Sequence, residues 1–69
     1  RGGTWPAALS GADDMAVHLF LAGAIGFLEI ETVIRKALDE FQSVSNPSLQ
    51  EVLDAAAWAR GEVSRVVGG

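Results

Sequence analysis

The clearest hydrophobic pattern of the chain lies in its middle third. Apolar side chains recur there at the three- and four-residue spacing of one helix face, at Ile30, Val33, Ile34, Ala37, Leu38 and Phe41. The opposite face carries opposite charges four residues apart, in the pairs Glu31–Arg35, Arg35–Asp39 and Lys36–Glu40. Each such pair supports a helix by about 0.2–0.5 kcal/mol. The pattern therefore predicts an amphipathic helix that packs through a single stripe.

The last third of the chain predicts a second amphipathic helix, after a polar loop. Ser48 and Glu51 have the spacing of a capping box, in which each side chain accepts a hydrogen bond from the backbone of the other residue. The apolar residues predicted to share its face are Leu49, Val52, Leu53, Ala56 and Val63. Trp58 lies about half a turn away from Leu49 at roughly 100° per residue. Trp58 is therefore expected to need a second contact surface, either against the first helix or against a partner domain.

The first third is apolar nearly all round, which is typical of a helix buried between others. Thr4 is predicted to cap a short first helix, with Pro6 in its first turn, where a missing N–H costs nothing. Gly11 weakens that helix. Asp13 or Asp14 is then expected to cap a second helix.

This second helix is expected to run to about Ala22 and to end at Gly23, a residue that favours helix termination. Its apolar residues are Met15, Val17, Leu19, Phe20, Leu21 and Ala22. No alternating strand pattern is present in the sequence. The prediction is an all-α domain.

Length and composition limit what this domain does alone. Its 69 residues form at most one small domain, residues 1–69. A chain of this size buries only about 60% of the surface that its unfolded form exposes, yet 49% of its residues are hydrophobic. We therefore expect some apolar surface to meet another domain or subunit. The chain starts at Arg1 without an initiator Met, so we expect it to be a piece of something larger.

Charge and cysteine content exclude several classes of protein. The net charge is −4, and the basic residues are scattered, at Arg1, Arg35, Lys36, Arg60 and Arg65. Nucleic-acid binding needs clustered cations and is not expected. The apolar run 15–28 is shorter than the roughly 20 residues of a membrane span, and no basic n-region of a signal peptide is present. With no Cys and one His, disulfides and Cys/His zinc sites are excluded, and a soluble intracellular setting is expected.

The titratable residues do not form a convincing site. Asp13 and Asp14, like Asp39 and Glu40, are neighbours that point about 100° apart on a helix and cannot converge on one metal or substrate atom. Asp14 and His18 are four residues apart and share a helix face. This pair lacks a nucleophile and is two ligands short of a metal site. We expect solvated or capping side chains, and no catalytic or metal-binding residue.

Two further motifs favour structural interpretations. Gly2 and Gly3 precede a helix start and offer N–H groups to an anion, but a simple turn is the commoner role of such a pair. Residues 11–15 look like the Asp-Ser-Leu neighbourhood of acyl carrier proteins. Asp14 stands where the serine that carries the prosthetic group would be, so this chain has no attachment point.

Four segments taken together resemble a known domain. They are Gly2-Gly3-Thr4-x-Pro6-Ala7-x-Leu9, Ala16-Val17-x-x-Phe20-Leu21-x-Gly23-x-Ile25-x-Phe27 with Ile30, Ser48-Leu49-x-x-Val52-Leu53, and Ala57-Trp58-Ala59-Arg60. Their order and spacing are similar to those of the C-terminal helical domain of 1-deoxy-D-xylulose 5-phosphate reductoisomerase. The resemblance covers almost the whole chain.

The resemblance implies a compact bundle of four to five helices, of the left-handed superhelix type, at the end of a three-part enzyme. The other parts are an NADPH-binding Rossmann domain and a central catalytic domain. The enzyme converts deoxyxylulose phosphate to methylerythritol phosphate with NADPH and Mg²⁺ or Mn²⁺, and is typically a homodimer in the cytoplasm or, in plants, the plastid. Its metal and substrate residues lie in the central domain. No catalytic, cofactor or metal residue is therefore carried over to this chain.

The chain departs from the family pattern at one junction. Residues 10–14 read Ser-Gly-Ala-Asp-Asp, where relatives read Asn-Ala-Ala-Asn-Glu, and a small residue is commoner at the position of His18. The replacements in 10–14 remain polar and able to cap a helix. The departure bears on how the predicted helix junction packs against the rest of an enzyme.

Two functions follow as hypotheses. The first is a structural domain of that reductoisomerase, inactive alone, which docks on the catalytic and NADPH-binding domains through Trp5 and Trp58. These large aromatics have no place in the local apolar stripes. The alternative is a free-standing helical module that binds a partner helix in an apolar groove.

Overall fold

The computed structural model describes residues 3–39 and 41–68. Within these ranges the chain forms α-helices and no strand, which confirms the all-α prediction. The helices are α1 (Trp5–Leu21), α2 (Glu29–Ala37) and α3 (Leu49–Gly68). None of these helices is long and apolar enough to cross a bilayer. The described part thus has three helices, where the resemblance implied four to five.

The two helices predicted in the first third are one continuous helix. Gly11 lies buried inside α1, where a Cβ atom would overlap the Ala56 carbonyl oxygen and approach the Ala56 Cα to 3.0 Å. Gly11 therefore allows α3 to come close and does not interrupt the helix. Asp13 and Asp14 are exposed in the interior of α1, so the prediction that one of them caps a second helix was wrong.

The start of α1 is tied to the segment that follows α2. Thr4 occupies the N-cap position, as predicted, but its side chain makes no capping bond. Its hydroxyl instead accepts the Val44 N–H at 2.9 Å, and its own N–H donates to the Ser43 Oγ at 3.1 Å. Thr4 is only 2% exposed. It acts as a clamp between two distant parts of the chain, because a buried N–H needs an acceptor.

The end of α1 agrees with the sequence-based prediction. Gly23 adopts a φ of +81°, the left-handed conformation that glycine tolerates at a helix C-terminus. Its N–H donates to the Phe20 carbonyl at 3.0 Å, and the Ala24 N–H donates to the Leu19 carbonyl at 2.9 Å. This pair of bonds is a Schellman motif, which satisfies the last carbonyls of the helix.

The predicted stripe of the middle third is confirmed. Val33, Ala37 and Leu38 are buried, and Ile30 and Ile34 pack partly buried against the same core. The helix itself ends earlier than the stripe, with Leu38 as its C-cap. Phe41 therefore reaches the core from the segment after α2.

One of the three predicted ion pairs of α2 is present in the described part of the chain. The Arg35 Nη2 lies 2.6 Å from the Glu31 Oε1, and both side chains are exposed. No Arg35–Asp39 pair is seen among these residues, because Asp39 lies beyond the helix end. The Lys36–Glu40 pair involves Glu40, which lies outside the described residues.

The capping box that opens α3 is confirmed. The Glu51 N–H donates to the Ser48 Oγ at 3.1 Å, and the Ser48 N–H donates to the Glu51 Oε1 at 3.0 Å. The reciprocal bonds satisfy backbone donors that the first helical turn leaves free.

The predicted buried face of α3 was wrong for its two leucines. Leu49 is 75% and Leu53 is 54% exposed, whereas the buried side chains of this helix are those of Ala55, Ala59 and Val63. The buried face of α3 is determined by its packing against α1. This is the most extensive contact between helices in the fold. Small side chains allow that close approach, and leucines at the interface would not.

Candidate docking surface

An aromatic row joins the three helical parts of the fold. Trp5 begins α1, Phe41 follows α2, and Trp58 lies on α3. The ring centroids of Trp5 and Phe41 are 5.9 Å apart and those of Phe41 and Trp58 are 5.4 Å apart, with both pairs tilted. These spacings are typical of favourable aromatic contacts. The structure thus brings the two predicted docking residues into one row, with Phe41 between them.

The middle of the row is held in place by hydrogen bonds of the backbone N–H groups around it. The Phe41 N–H donates to the Leu38 carbonyl at 3.1 Å, and Thr4 fixes the segment two residues further on. Gly3 lies next to this clamp and adopts a φ of +63°, a left-handed value that glycine tolerates. A Cβ atom at this position would overlap the Val44 carbonyl oxygen. The row is therefore positioned by a contact between residues some forty positions apart in sequence.

Trp58 remains 41% exposed beside an open groove of about 430 Å³. The groove is lined by Thr4, Phe41, Gln42, Val44, Glu51, Asp54, Ala55 and Trp58. The sequence predicted a second contact for Trp58 against α1 or a partner. The structure supplies part of that contact from Phe41, which sequence reasoning had assigned only to the α2 stripe.

The row has a second, more polar groove beside Trp5. It has a volume of about 740 Å³, and its lining includes Trp5, Leu38, Asp39, Phe41 and Asn46. Asn46 has a φ of +49°, a left-handed value that asparagine tolerates better than most residues. Phe41 lines both grooves, so the two hollows meet at the middle of the row.

The charged residues that line the groove beside Trp58 are both acidic. They are Glu51 and Asp54, and the described lining includes no Lys or Arg. The ion pairs of the described residues lie elsewhere, between Arg35 and Glu31 and between Arg65 and Glu62. The groove beside Trp58 is therefore an apolar hollow with an acidic rim.

A second apolar patch lies at the turn between α1 and α2. Leu21, Phe27 and Leu28 are 77%, 69% and 86% exposed, and Phe27 makes an edge contact with Phe20 at 5.9 Å between centroids. No structural role is predicted above for residues 25–28, so this patch was missed. The signal was present, because the run Ile25-Gly26-Phe27-Leu28 carries no polar side chain, whereas turns are mostly built from Gly, Pro, Asn, Asp and Ser.

The titratable candidates do not come together in the part of the chain that is described. Asp13, Asp14 and His18 are exposed on α1, and no hydrogen bond joins the side chains of Asp14 and His18. In residues 3–39 and 41–68 no group of three or more His, Cys, Asp or Glu side chains is placed to hold a metal ion. The Gly2 half of the Gly2-Gly3 motif lies outside the described residues.

These features define a class, a small all-α domain with an aromatic row that is exposed at Trp58. Residues 1–62 match the family described as the DXP reductoisomerase C-terminal domain. The chain belongs to that family, which confirms the resemblance read from its sequence. Membership favours the enzyme-domain hypothesis over the free-standing interaction module.

Individual relatives agree with this assignment. The chain is 42% identical over 66 residues to the 1-deoxy-D-xylulose 5-phosphate reductoisomerase of Desulforamulus reducens, covering 96% of this chain and 17% of the relative. It is 47% identical over 68 residues to the enzyme of that name from Moorella thermoacetica, covering 99% and 18%. The chain spans less than a fifth of the length of these curated relatives. No solved structure gave a significant match.

Proposed function

We propose that this chain is the C-terminal structural domain of an NADPH-dependent reductoisomerase that converts 1-deoxy-D-xylulose 5-phosphate to 2-C-methyl-D-erythritol 4-phosphate in non-mevalonate isoprenoid biosynthesis. The single observation that carries the proposal is the family match over residues 1–62. In this proposal the chain is one domain, residues 1–69, and is inactive alone.

The cofactors of the reaction belong to other parts of the parent enzyme. The sequence lacks the Gly-x-Gly-x-x-Gly fingerprint of a dinucleotide site, and the described residues do not supply a set of ligands for Mg²⁺ or Mn²⁺. In this proposal NADPH and Mg²⁺ or Mn²⁺ bind to the other domains of the parent enzyme, as the resemblance implies. The parent is proposed to be a cytoplasmic or plastid homodimer that binds neither nucleic acid nor membrane.

The role proposed for the domain is to complete and brace the catalytic body. Trp5 and Trp58 form its docking surface, because their row offers large, rigid apolar rings that gain by being covered. The four to five helices of the left-handed superhelix type, expected from the resemblance, remain part of the proposal for the complete domain.

Truncation of the full-length parent enzyme before Arg1 tests this function. We expect the truncated enzyme to lose NADPH oxidation that depends on deoxyxylulose phosphate, and to unfold at a lower temperature, because its catalytic body loses a packed neighbour. Addition of the separate 69-residue chain should restore part of the activity.

The coding sequence upstream of Arg1 provides an independent check. The proposal predicts a Rossmann fingerprint followed by a carboxylate-rich catalytic segment. A truncated enzyme with full activity and unchanged thermal stability would contradict the bracing role, and a start codon close to Arg1 would contradict membership in a larger enzyme.

A further inference from the structure

The groove beside Trp58 has an apolar floor that is open to solvent. Phe41 and Ala55 line it together with Val44 and Trp58, each of which is 41% exposed. A hollow of about 430 Å³ has room for one or two side chains of a partner, and exposed apolar patches of this kind mark interaction sites.

The rim of the groove carries two oriented carboxylates. The Glu51 Oε1 accepts the Ser48 N–H at 3.0 Å, and the Asp54 Oδ1 accepts the Gln50 Nε2 at 2.8 Å. Neither carboxylate forms an ion pair with any residue in 3–39 or 41–68. No Lys or Arg is among the described residues that line the groove. The groove therefore presents two negative charges beside an aromatic face.

We propose that this groove receives a Lys- or Arg-bearing segment from the catalytic part of the parent polypeptide. The proposal rests on the function proposed above. A long cationic side chain matches both features, because its aliphatic stem covers the Trp58 ring while its charged head reaches the carboxylates. Anionic partners are disfavoured by the same charges.

The size of the missing part supports this occupant. The chain covers 17% of the Desulforamulus relative and 18% of the Moorella relative, so most of the enzyme lies outside it. The more exposed patch at Leu21, Phe27 and Leu28 borders a hollow whose lining includes Asp13 and Glu31, but Glu31 is already paired with Arg35. Nothing in the fold says what covers that patch. The groove beside Trp58, where both lining carboxylates lack an ion pair among the described residues, specifies the chemistry of its partner more clearly.

Photo-cross-linking in the full-length enzyme tests the occupant. Val44 is replaced by p-benzoylphenylalanine, which reacts with neighbouring C–H bonds of any residue, and the joined peptide is identified by mass spectrometry. We expect the cross-linked peptide to come from the region before Arg1 of the same polypeptide. It should contain a Lys or Arg at or next to the cross-linked residue. A cross-link to a second copy of the enzyme, to a peptide without a cation, or to none would overturn the proposal.

Neutral variants test the charge. Glu51→Gln with Asp54→Asn keeps the hydrogen-bond acceptors and removes both charges, and Asp13→Asn with Asp14→Asn removes two exposed charges outside the groove. At a urea concentration where about half of the parent protein still cross-links, we expect the groove variant to cross-link about two- to threefold less and the control to match the parent. About 0.5 M salt should lower the cross-linking yield of the parent protein and leave the yield of the groove variant unchanged.

The outcomes separate the two proposals. A cross-link to the catalytic part that ignores both substitutions and salt would contradict the cationic occupant and leave the bracing domain standing. Leu9 is 42% exposed and lines a hollow together with Trp5. If p-benzoylphenylalanine at Val44 and, in a separate variant, at Leu9 both fail to reach the region before Arg1, the docking itself is contradicted.

Discussion

The contact between α1 and α3 and the aromatic row are built on opposite principles. The contact uses the smallest side chains of the chain, and Ala8, Ala12 and Ala59 are 0% exposed. The row uses the largest, yet Trp58 is 41% exposed. The fold thus closes its core with small residues and leaves its bulkiest rings partly in water.

The difference shows that a docking partner can still add stability at the aromatic row. A tryptophan buries about 150–250 Å², and apolar area contributes about 25 cal/mol per Å², so the exposed share of Trp58 corresponds to about 2 kcal/mol. The contact between α1 and α3 has no such reserve, because it is already closed. Substitutions should therefore act on folding in the first region, and on both folding and docking in the second.

The largest effect is expected at Gly11. Gly11→Val places a branched side chain against the Ala56 backbone, and helix separation should cost about 3–4 kcal/mol, enough to unfold a small domain. Urea unfolding followed by far-ultraviolet circular dichroism measures it. Gly61→Val in α3 is the matched control, because a Cβ there meets nothing within 4 Å. Equal stability of the two variants would show that the helices separate freely.

Trp58→Ala should have the next largest effect. The loss of its buried part, including the contact with Phe41, should lower the free energy of unfolding of the 69-residue chain by about 2 kcal/mol. Leu53→Ala removes a more exposed side chain of the same helix and should cost less than about 1 kcal/mol. If the two substitutions cost the same, the row contributes no more than ordinary surface.

Thr4→Val tests the clamp that holds the row. It keeps the shape of the side chain but leaves the Val44 N–H without its acceptor, at an expected cost of about 1–2 kcal/mol. Faster amide exchange at Val44 and a weaker near-ultraviolet signal from the tryptophans should accompany this loss. Thr4→Ser retains the hydroxyl and should keep slow exchange at Val44, and fast exchange in both variants would show that the hydroxyl is not the acceptor.

The parts of the fold that were predictable rest on local signals. The capping box at Ser48 and Glu51, the end of α1 before Gly23 and the stripe of α2 each need only a few neighbouring residues, and all three are confirmed. Gly11 was misjudged because helix propensity is local, whereas its role is the approach of α3 from forty-five positions away. The face of α3 was misjudged for the same reason.

The candidate site divides in the same way. Trp5 and Trp58 were singled out because they fit no local stripe, and the structure joins them in one row. That Phe41 stands between them depends on α2 ending at Ala37 and on the Thr4 clamp, neither of which the stripe indicates. Their role as a docking surface stays a prediction.

The smallest effect is expected at the ion pair between Arg65 and Glu62 on α3. The hydrogen bond from Arg65 lowers the pKa of Glu62 below its ordinary value, desolvation by burial opposes this, and the charge of the same guanidinium adds to it. The folded state therefore binds this proton less readily than the unfolded state. The stabilisation is complete above the ordinary pKa of a glutamate and is lost as the pH falls through the lowered one.

Glu62→Gln should make this contribution visible as a difference between two pH profiles. The variant should be slightly less stable than the parent at neutral pH, and the two should converge at acidic pH, where the parent carboxylate is protonated. Urea midpoints measured across the acid range at low ionic strength provide the comparison. In about 1 M salt the neutral-pH difference should shrink, because exposed charges are screened. A difference in stability that persists at low pH would mean that the Glu62 side chain contributes through packing and not through its charge. Its contribution would then resemble that of the closed contact between α1 and α3.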